Sequence, residues 1–218
     1  MNKPTKKAMQ SMLSELRATV PHRPLTYGDS LQSTRNQAAK LRQLIGADTP
    51  EINLLWLIDQ RAVPVNFVPS YRLGEQSGLT TDYITGKLEV FINEGEPPVR
   101  QRFSVLHELK HVLDWPDADL LHGKLGSGNK ELQGKLIEQI ANEFAAHVLM
   151  PTGLVKRIWF NSQDIQLAAS MFNVSREAMT TRLEKLGILG DPKPRPRLYF
   201  RATGLMTAEP SVCEPCFS

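Results

Sequence analysis

The sequence predicts an α+β fold in which a small antiparallel sheet packs against amphipathic helices. Apolar residues recur at helical spacing in most segments, whereas residues 63–92 follow the shorter period of strands. The chain has 218 residues, of which 41% are hydrophobic and 22% charged, which is typical of a globular protein with a substantial core. The net charge of +3 is too small to indicate a nucleic-acid partner by itself.

The sequence carries no signal for a membrane or a secretory route. No apolar run approaches the length of a membrane span, and the basic N-terminus lacks the apolar centre of a secretion signal. We therefore expect a cytoplasmic protein without a membrane partner. The only two cysteines, Cys213 and Cys216, lie in the last six residues and cannot cross-link a fold. A single C-x-x-C also lacks the four ligands of a structural zinc site.

Three helical patterns occupy the first part of the chain. They span residues 2–19, 28–46 and 50–60. Pro21 ends the first pattern, and Asp29 or Ser30 is the expected cap of the second. The third begins with Pro50, which is tolerated in the first turn of a helix.

The strand patterns follow directly. Residues 63–68 form one short strand, and residues 79–84 and 88–92 predict a hairpin around a Thr-Gly-Lys turn. The last of these strands is mostly apolar and rich in β-formers, so it is expected in the centre of the sheet or at a half-exposed working edge.

A helix with an H-E-x-x-H motif is predicted after the strands. Pro98 opens it, and the motif itself is His107-Glu108-Leu109-Lys110-His111. Residues four apart lie on one helix face, about 5–6 Å apart at the backbone, so two imidazoles converge on one point as a tetrahedral metal requires. Glu108 is rotated away from that point and suits a base that takes a proton from water. Random placement of the 5 histidines and the glutamates would give roughly 0.006 such motifs, which argues against chance.

A polar loop with three glycines is predicted over residues 117–129, beside the motif helix. It contains His122. This side chain is a candidate for a hydrogen bond to a substrate or to an oxyanion, although a single loop histidine is more often an ordinary surface residue.

A second long helix, residues 131–150, is expected to supply the third ligand, because a catalytic zinc site uses three protein ligands. Its candidate ligands are Glu131, Glu138, Glu143 and His147. Glu138 lies within or beside the apolar stripe, where a carboxylate is costly to bury unless it meets a cation. Asn142 lies one turn later and suits a hydrogen bond to a ligand histidine. Glu143 and His147 are expected at the surface or as a structural pair.

Residues 165–183 predict a helix-turn-helix. Asn173 stands at the turn, and Ser175 is the expected cap of the second helix. That helix carries both acidic and basic residues in nearly equal number, whereas a helix that enters a DNA groove should be more basic. Direct contact with DNA is therefore not expected, and a packing or substrate-docking role is favoured.

The stretches RQRFSVLHELKHVLDWP and EQIANEFAAHVLMP resemble the ImmA/IrrE-type metallopeptidases. That family joins an H-E-x-x-H helix to a later helix of the form E-x-x-A-N-x-F-A-x-x-x-L-M-P. The resemblance also takes in RPLTYGDSLQ, EVFINEGEPPVRQRF and LAASMFNVSREAMTTRLEKLGIL, and it spans residues 23–189. Lys110 stands where glycine is frequent, and His147 occupies a variable position.

The resemblance implies a zinc endopeptidase. His107 and His111 would be zinc ligands, Glu138 the third ligand and Glu108 the catalytic base. It implies a reduced zincin-like core made of the small sheet and the two motif helices, with flanking helices. The expected substrates are helix-turn-helix repressors, cleaved to relieve repression in a stress response or a mobile element. Histidine–carboxylate sites accept several divalent ions, so manganese or another divalent ion is an alternative to zinc.

Four regions are predicted along the chain. They are a basic N-terminal segment (1–22), a metallopeptidase domain (23–160), a helix-turn-helix-like pair (161–190) and a basic, proline-rich tail (191–218). The alternative function is that of a DNA-binding transcription regulator that uses residues 161–190 and keeps a vestigial or structural metal site. Glu108 favours the peptidase, because a purely structural site has no use for a base.

Overall fold

We analysed a computed structural model, which describes residues 6–58, 63–73, 78–81 and 88–189. Within these ranges the chain is mostly helical, with one small sheet, in agreement with the predicted α+β class. The helices are α1 (Lys6–Arg17), α2 (Tyr27–Leu44), α3 (Leu55–Ile58), α4 (Ser70–Leu73), α5 (Pro98–Asp114), α6 (Ala118–His122), α7 (Lys130–Leu149), α8 (Thr152–Ser162), α9 (Ile165–Phe172) and α10 (Arg176–Lys185). The strands are β1 (Val65–Val68), β2 (Gly78–Thr81) and β3 (Leu88–Asn93).

The sheet has the strand order β1-β3-β2 and is mixed. β2 runs antiparallel to β3, with Gly78 opposite Phe91, as a hairpin requires. The predicted turn between these strands lies outside the described residues. β1 runs parallel to β3, with Val65 opposite Val90, so the expectation of an antiparallel sheet is not confirmed. The chain crosses from β1 to the far side of the sheet before β3 inserts between the two earlier strands.

β3 is the central strand, with a neighbour on each side. Val90 and Ile92 are buried in the core, which explains the apolar pattern of this strand. The interpretation of β3 as a working edge for substrate is therefore wrong, because its main chain already pairs on both sides. Among the described strands, the edges are β1 and β2.

α2 begins earlier than the sequence suggested. Its cap is Thr26, whose side chain accepts a hydrogen bond from the backbone N–H of Asp29, while the Asp29 carboxylate accepts from the backbone N–H of Thr26. Asp29 therefore completes a capping box and is not itself the cap. Ser30, the other predicted cap, lies inside the helix and is buried.

α3 is much shorter than the predicted helix over residues 50–60. The side chain of Asn53 accepts a hydrogen bond from the backbone N–H of Leu55, which starts the helix there instead of at Pro50. Its last described residue is Ile58, and the rest of the predicted helix lies outside the described residues.

α5 and α7 are the helices predicted around the two motifs. Pro98 occupies the first turn of α5. The side chain of Asn129 caps α7 by accepting a hydrogen bond from the backbone N–H of Leu132. α7 packs against both α2 and α5, so it is the central helix of the domain.

The predicted loop over residues 117–129 contains the short helix α6 between two 3-10 turns. Leu121 and Leu125 are buried and anchor this segment to the core. The glycines therefore mark turns between short helices and do not mark an open polar loop.

One hydrophobic core joins the ends of the described chain. It includes Met9, Leu13 and Leu16 of α1 as well as Met179 and Leu183 of α10. The predicted cap Ser175 begins α10, and Asn173 adopts the left-handed conformation at the turn before it. None of the described helices has the length and apolar character needed to cross a bilayer.

Candidate metal centre

α5 presents two histidines to one point, as their spacing of four residues predicted. The Nε2 atoms of His107 and His111 lie 3.1 Å apart, and their ring centroids lie 4.8 Å apart. Both side chains are largely buried, because this face of α5 packs against α7. Two imidazole nitrogens so close together need a shared proton or a shared cation between them.

Glu138 of α7 completes the group. Its Oε2 lies 3.1 Å from Nε2 of His107, and its Oε1 lies 3.5 Å from Nε2 of His111. Metal–ligand bonds of about 2.0–2.2 Å in a tetrahedron place the donor atoms about 3.3–3.6 Å apart. Two imidazole nitrogens and a carboxylate at these separations fit a divalent metal ion. Among the described residues, His107, His111 and Glu138 form a group that could hold one.

Asn142 fixes the orientation of His107. Its Oδ1 lies 3.0 Å from Nδ1 of His107 and accepts a hydrogen bond from it. The other ring nitrogen, Nε2, therefore faces the group with Glu138 and His111. The sequence predicted this role for Asn142 from its position one turn after Glu138.

The protonation of the three donors follows from their contacts. Burial lowers the pKa of His107, but the hydrogen bond to Glu138 and the charge of Glu108 outweigh burial and raise it. The hydrogen bond from His107 lowers the pKa of Glu138 and keeps this carboxylate ionised. Burial and the neighbouring charge of His107 lower the pKa of His111. The pKa values of His107 and Glu138 therefore shift in opposite directions, as expected of an ion pair, and a metal ion would take the place of the proton between them.

Glu108 is almost fully buried beside this group, with 4% of its surface exposed. Burial raises its pKa to about 7, and the charge of Glu138 adds to the effect while His107 opposes it. A carboxylate with a pKa near neutrality can both accept and return a proton, which is the property of a general base.

His122 belongs to a buried cluster around Asp114 and is not the ordinary surface residue that the sequence favoured. Its Nε2 lies 3.3 Å from Oδ2 of Asp114, and both side chains are buried. Oδ1 of Asp114 accepts a hydrogen bond of 2.6 Å from Lys110, which also donates to Gln37 of α2. The position of His122 therefore does not support a contact with substrate. Sequence reasoning missed this cluster, for which the spacing of Lys110 and Asp114 by four residues was the available signal.

Glu143 and His147 form the structural pair that the sequence offered as one alternative. Oε1 of Glu143 lies 3.5 Å from Nδ1 of His147 and 2.9 Å from both Nε and Nη2 of Arg35. Glu143 is buried, so it is not the surface residue of the other alternative. Arg35 was missed, because no local pattern links α2 to a helix about a hundred residues later.

Comparisons with known proteins place the chain in a family. The family model described as IrrE N-terminal-like domain, Peptidase_M78, matches residues 70–184. The chain is also similar to the solved structure of a Mycobacterium tuberculosis transcriptional regulator, at 20% sequence identity and a TM-score of 0.48. That match covers 87% of this chain and 54% of the other, so this chain spans about half of that protein's length. No curated protein matches the chain.

Proposed function

Since the chain belongs to the IrrE N-terminal-like peptidase family, we propose that it is a zinc-dependent endopeptidase that hydrolyses one bond in a regulatory protein. The observation that carries the proposal is the convergence of His107, His111 and Glu138, from two helices, on one point beside the buried carboxylate of Glu108. The three donors leave one corner of a tetrahedron for solvent, as in catalytic sites. This arrangement would make α5, α7 and the sheet a reduced zincin-like core.

The chemistry divides between the metal and Glu108. Held by the three donors, zinc would supply Lewis-acid chemistry, which acidifies a water molecule and polarises a peptide carbonyl. Glu108 takes the proton of the attacking water as the new C–O bond forms. It then gives that proton to the leaving amine as the C–N bond breaks. Other divalent ions, manganese among them, fit the same donors.

The substrate main chain requires an extended position beside α5. β2 lies against α5, and within the described part of the chain it pairs with β3 alone. An extended peptide that adds to its outer edge would lie alongside α5, the helix that carries His107 and His111. This proposal replaces β3 with β2 as the strand that receives substrate.

The expected substrate is a helix-turn-helix repressor, whose cleavage would relieve repression in a stress response or a mobile element. This part of the proposal rests on the family resemblance, and it includes a cytoplasmic location. No residue of the site identifies a particular repressor.

The alternative function, direct DNA binding by α9 and α10, is less well supported. Arg182, one of three cations on α10, is buried, and it donates to the carbonyl of Met150 and to Oγ1 of Thr152. Its hydrogen bonds therefore hold α10 against the start of α8, and Arg182 is not available to contact DNA phosphates. This contact agrees with a packing role for the helix pair. A salt-dependent shift of duplex DNA by the protein would instead support DNA binding.

A direct experiment tests the peptidase. The purified protein is expected to contain zinc and to cleave a candidate repressor encoded near it. Glu108→Gln should retain zinc but lose cleavage by about 10²–10⁴-fold, because the base is gone while the metal ligands stay. Glu131→Gln is the matched control, since Glu131 lies on α7 but is exposed and pairs only with Lys135 in the described structure. Two outcomes would contradict the proposal. One is equal cleavage by both variants, and the other is that neither the wild type nor either variant cleaves any repressor encoded nearby.

A further inference from the structure

A cavity lies beside the candidate metal centre, between α2, α7 and α10. Its volume is about 740 Å³. Tyr27 and Arg35 of α2, Asn142 and Glu143 of α7, and Lys185 of α10 contribute to its walls. The proposed chemistry of the metal centre uses only Asn142 among these residues, so most of this cavity has no role yet.

The cavity carries a net positive charge. Three cations line it, namely Arg35, Arg182 and Lys185, against the single carboxylate of Glu143. Arg35 already neutralises Glu143 through two contacts of 2.9 Å. Burial and the charge of Arg182 lower the pKa of His147, so this imidazole adds no charge at neutral pH. Lys185 is exposed and has no ion pair in the part of the chain that the structure describes. The hydrogen bonds of Arg182 go to Met150 and Thr152, so Lys185 is the cation that remains to contact a ligand.

The cavity and the metal centre share a wall. Asn142 lines the cavity and also accepts the hydrogen bond from Nδ1 of His107. Gln139, the residue directly after Glu138 on α7, also lines the cavity, so the cavity begins next to a metal donor. An extended peptide advances about 3.3 Å per residue. A side chain two or three residues from the reacting bond would therefore reach the cavity.

We propose that this cavity is a specificity pocket for an acidic side chain, aspartate or glutamate, two or three residues from the bond that is cleaved. The proposal rests on the peptidase function proposed above and names a feature of its substrate. Lys185 supplies the direct contact, the net positive charge of the lining adds to the attraction, and the open cavity supplies the space. The proposal also gives α10 a function, because α10 supplies two of the three cations and closes one wall.

The first test compares cleavage sites in a library of peptides derived from a whole proteome, digested by the zinc-loaded protein and read by mass spectrometry. Aspartate and glutamate should be enriched about threefold to tenfold at one position, two or three residues from the cut, as one or two partly exposed charge pairs allow. Lys185→Glu should abolish the enrichment. Lys156→Glu, an exposed residue of α8 outside the cavity, should leave it unchanged. Cleavage without acidic enrichment, or enrichment that persists in Lys185→Glu, would overturn the pocket.

The second test does not depend on cleavage and uses the zinc-loaded Glu108→Gln variant. N-acetyl-glutamyl amide should shift the backbone NMR signals of Tyr27, Gln139 and Lys185, whereas N-acetyl-glutaminyl amide should not. Adding Lys185→Glu should weaken the binding of the glutamyl compound about threefold or more, and adding Lys156→Glu should not. If the wild type cleaves nothing, the peptidase proposal fails and this titration alone decides the pocket. Equal shifts with both compounds, or no shifts, would overturn it.

Discussion

At the scale of single residues, the hydrogen bond between Asn142 and His107 decides which ring nitrogen the metal meets. Oδ1 of Asn142 accepts the proton on Nδ1 of His107 over 3.0 Å. An imidazole held in this way already presents the lone pair of its other nitrogen. Metal binding then costs the ring less rotational freedom, and the metal affinity is higher. Asn142 is therefore a positioning residue for the metal centre.

Asn142→Ala should weaken zinc binding by about tenfold to a hundredfold, because His107 loses the acceptor that orients it. Competition with a fluorescent chelator measures the affinity. Asn142→Asp keeps an acceptor oxygen and should bind zinc at least as tightly as the wild type. Equal affinities for wild type and Asn142→Ala would show that packing alone orients His107.

The buried ion pair of Lys110 and Asp114 is the second feature at this scale. Burial would raise the pKa of Asp114, but Lys110 and His122 outweigh it and hold the pKa below its ordinary value of 3.8. A carboxyl group whose pKa falls on folding stabilises the protein above its ordinary pKa. This contribution is lost as the pH falls through the lower pKa of the folded state.

Asp114→Asn should lower the free energy of unfolding by about 3–5 kcal/mol at neutral pH, since it leaves the buried ammonium of Lys110 without a counter-charge. Urea denaturation measures the loss, which should shrink as the pH falls below about 3.8. Glu131→Gln removes an exposed pair with the same spacing of four residues and should change stability little. Similar losses in both variants would contradict the importance of burial.

The sequence could predict the residues of the site whose signal is local. The spacing of His107 and His111 places both on one helix face. Glu138 was selected for its position beside the apolar stripe of α7, but its side chain is 57% exposed, so the expected cost of burying it does not apply. His122 could not be placed, because its partner Asp114 comes from another element. The same limit hid Arg35, whose contact with Glu143 depends on how α2 packs against α7.

At the scale of elements, the turn before α7 sets where that helix begins. Gly126 has a φ of +71°, and a Cβ added there would lie 2.6 Å from the backbone nitrogen of Gln133. The side chain of Gln133 in turn donates to the carbonyl of His122. This close approach fixes α7 against the short helix α6.

Gly126→Ala should destabilise the protein by roughly 2–4 kcal/mol, because it combines left-handed strain with a clash against backbone. Gly128→Ala is the matched control, since Gly128 has a φ of +89° but an added Cβ meets nothing within 4 Å. Its thermal unfolding should show only the smaller loss from strain. Equal losses in both variants would mean that the clash is relieved at no cost.

The elements differ in how far the sequence determines them. α7 lies within a residue of its predicted bounds. Its apolar periodicity marks the whole helix, the cap Asn129 marks its start, and Pro151 marks its end. The parallel pairing of β1 with β3 carries no local signal, since the chain must leave the sheet and return between the two strands. Short helices such as α6 are not predicted from the sequence. Their structure depends on the burial of leucines, and in this segment the leucines lie among glycines.

At the scale of the whole molecule, the candidate metal centre joins α5 and α7, which are separated in the chain by residues 115–129. His107 and His111 belong to α5 and Glu138 belongs to α7, so a bound metal ion would stabilise the contact between these helices. A ligand that binds only the folded state raises stability by its mass action.

Zinc at a hundred times its dissociation constant should raise the free energy of unfolding by about 2.7 kcal/mol and the melting temperature by about 5–10 °C. Thermal denaturation with and without zinc measures the shift. A chelator should reverse it and abolish cleavage. His107→Ala should show no shift, whereas Glu131→Gln should shift like the wild type. An equal shift in His107→Ala would place the metal elsewhere.

The guanidinium of Arg17 has a consequence for any shortened version of the chain. It donates to the carbonyls of Val112 and Leu113 in the last turn of α5, directly after His111. Deleting the first 22 residues removes no metal ligand, yet it leaves those two carbonyls bare and uncovers the core against which α1 packs. A minimal fragment that keeps the candidate metal centre intact must therefore retain a leading segment that contributes no ligand to it.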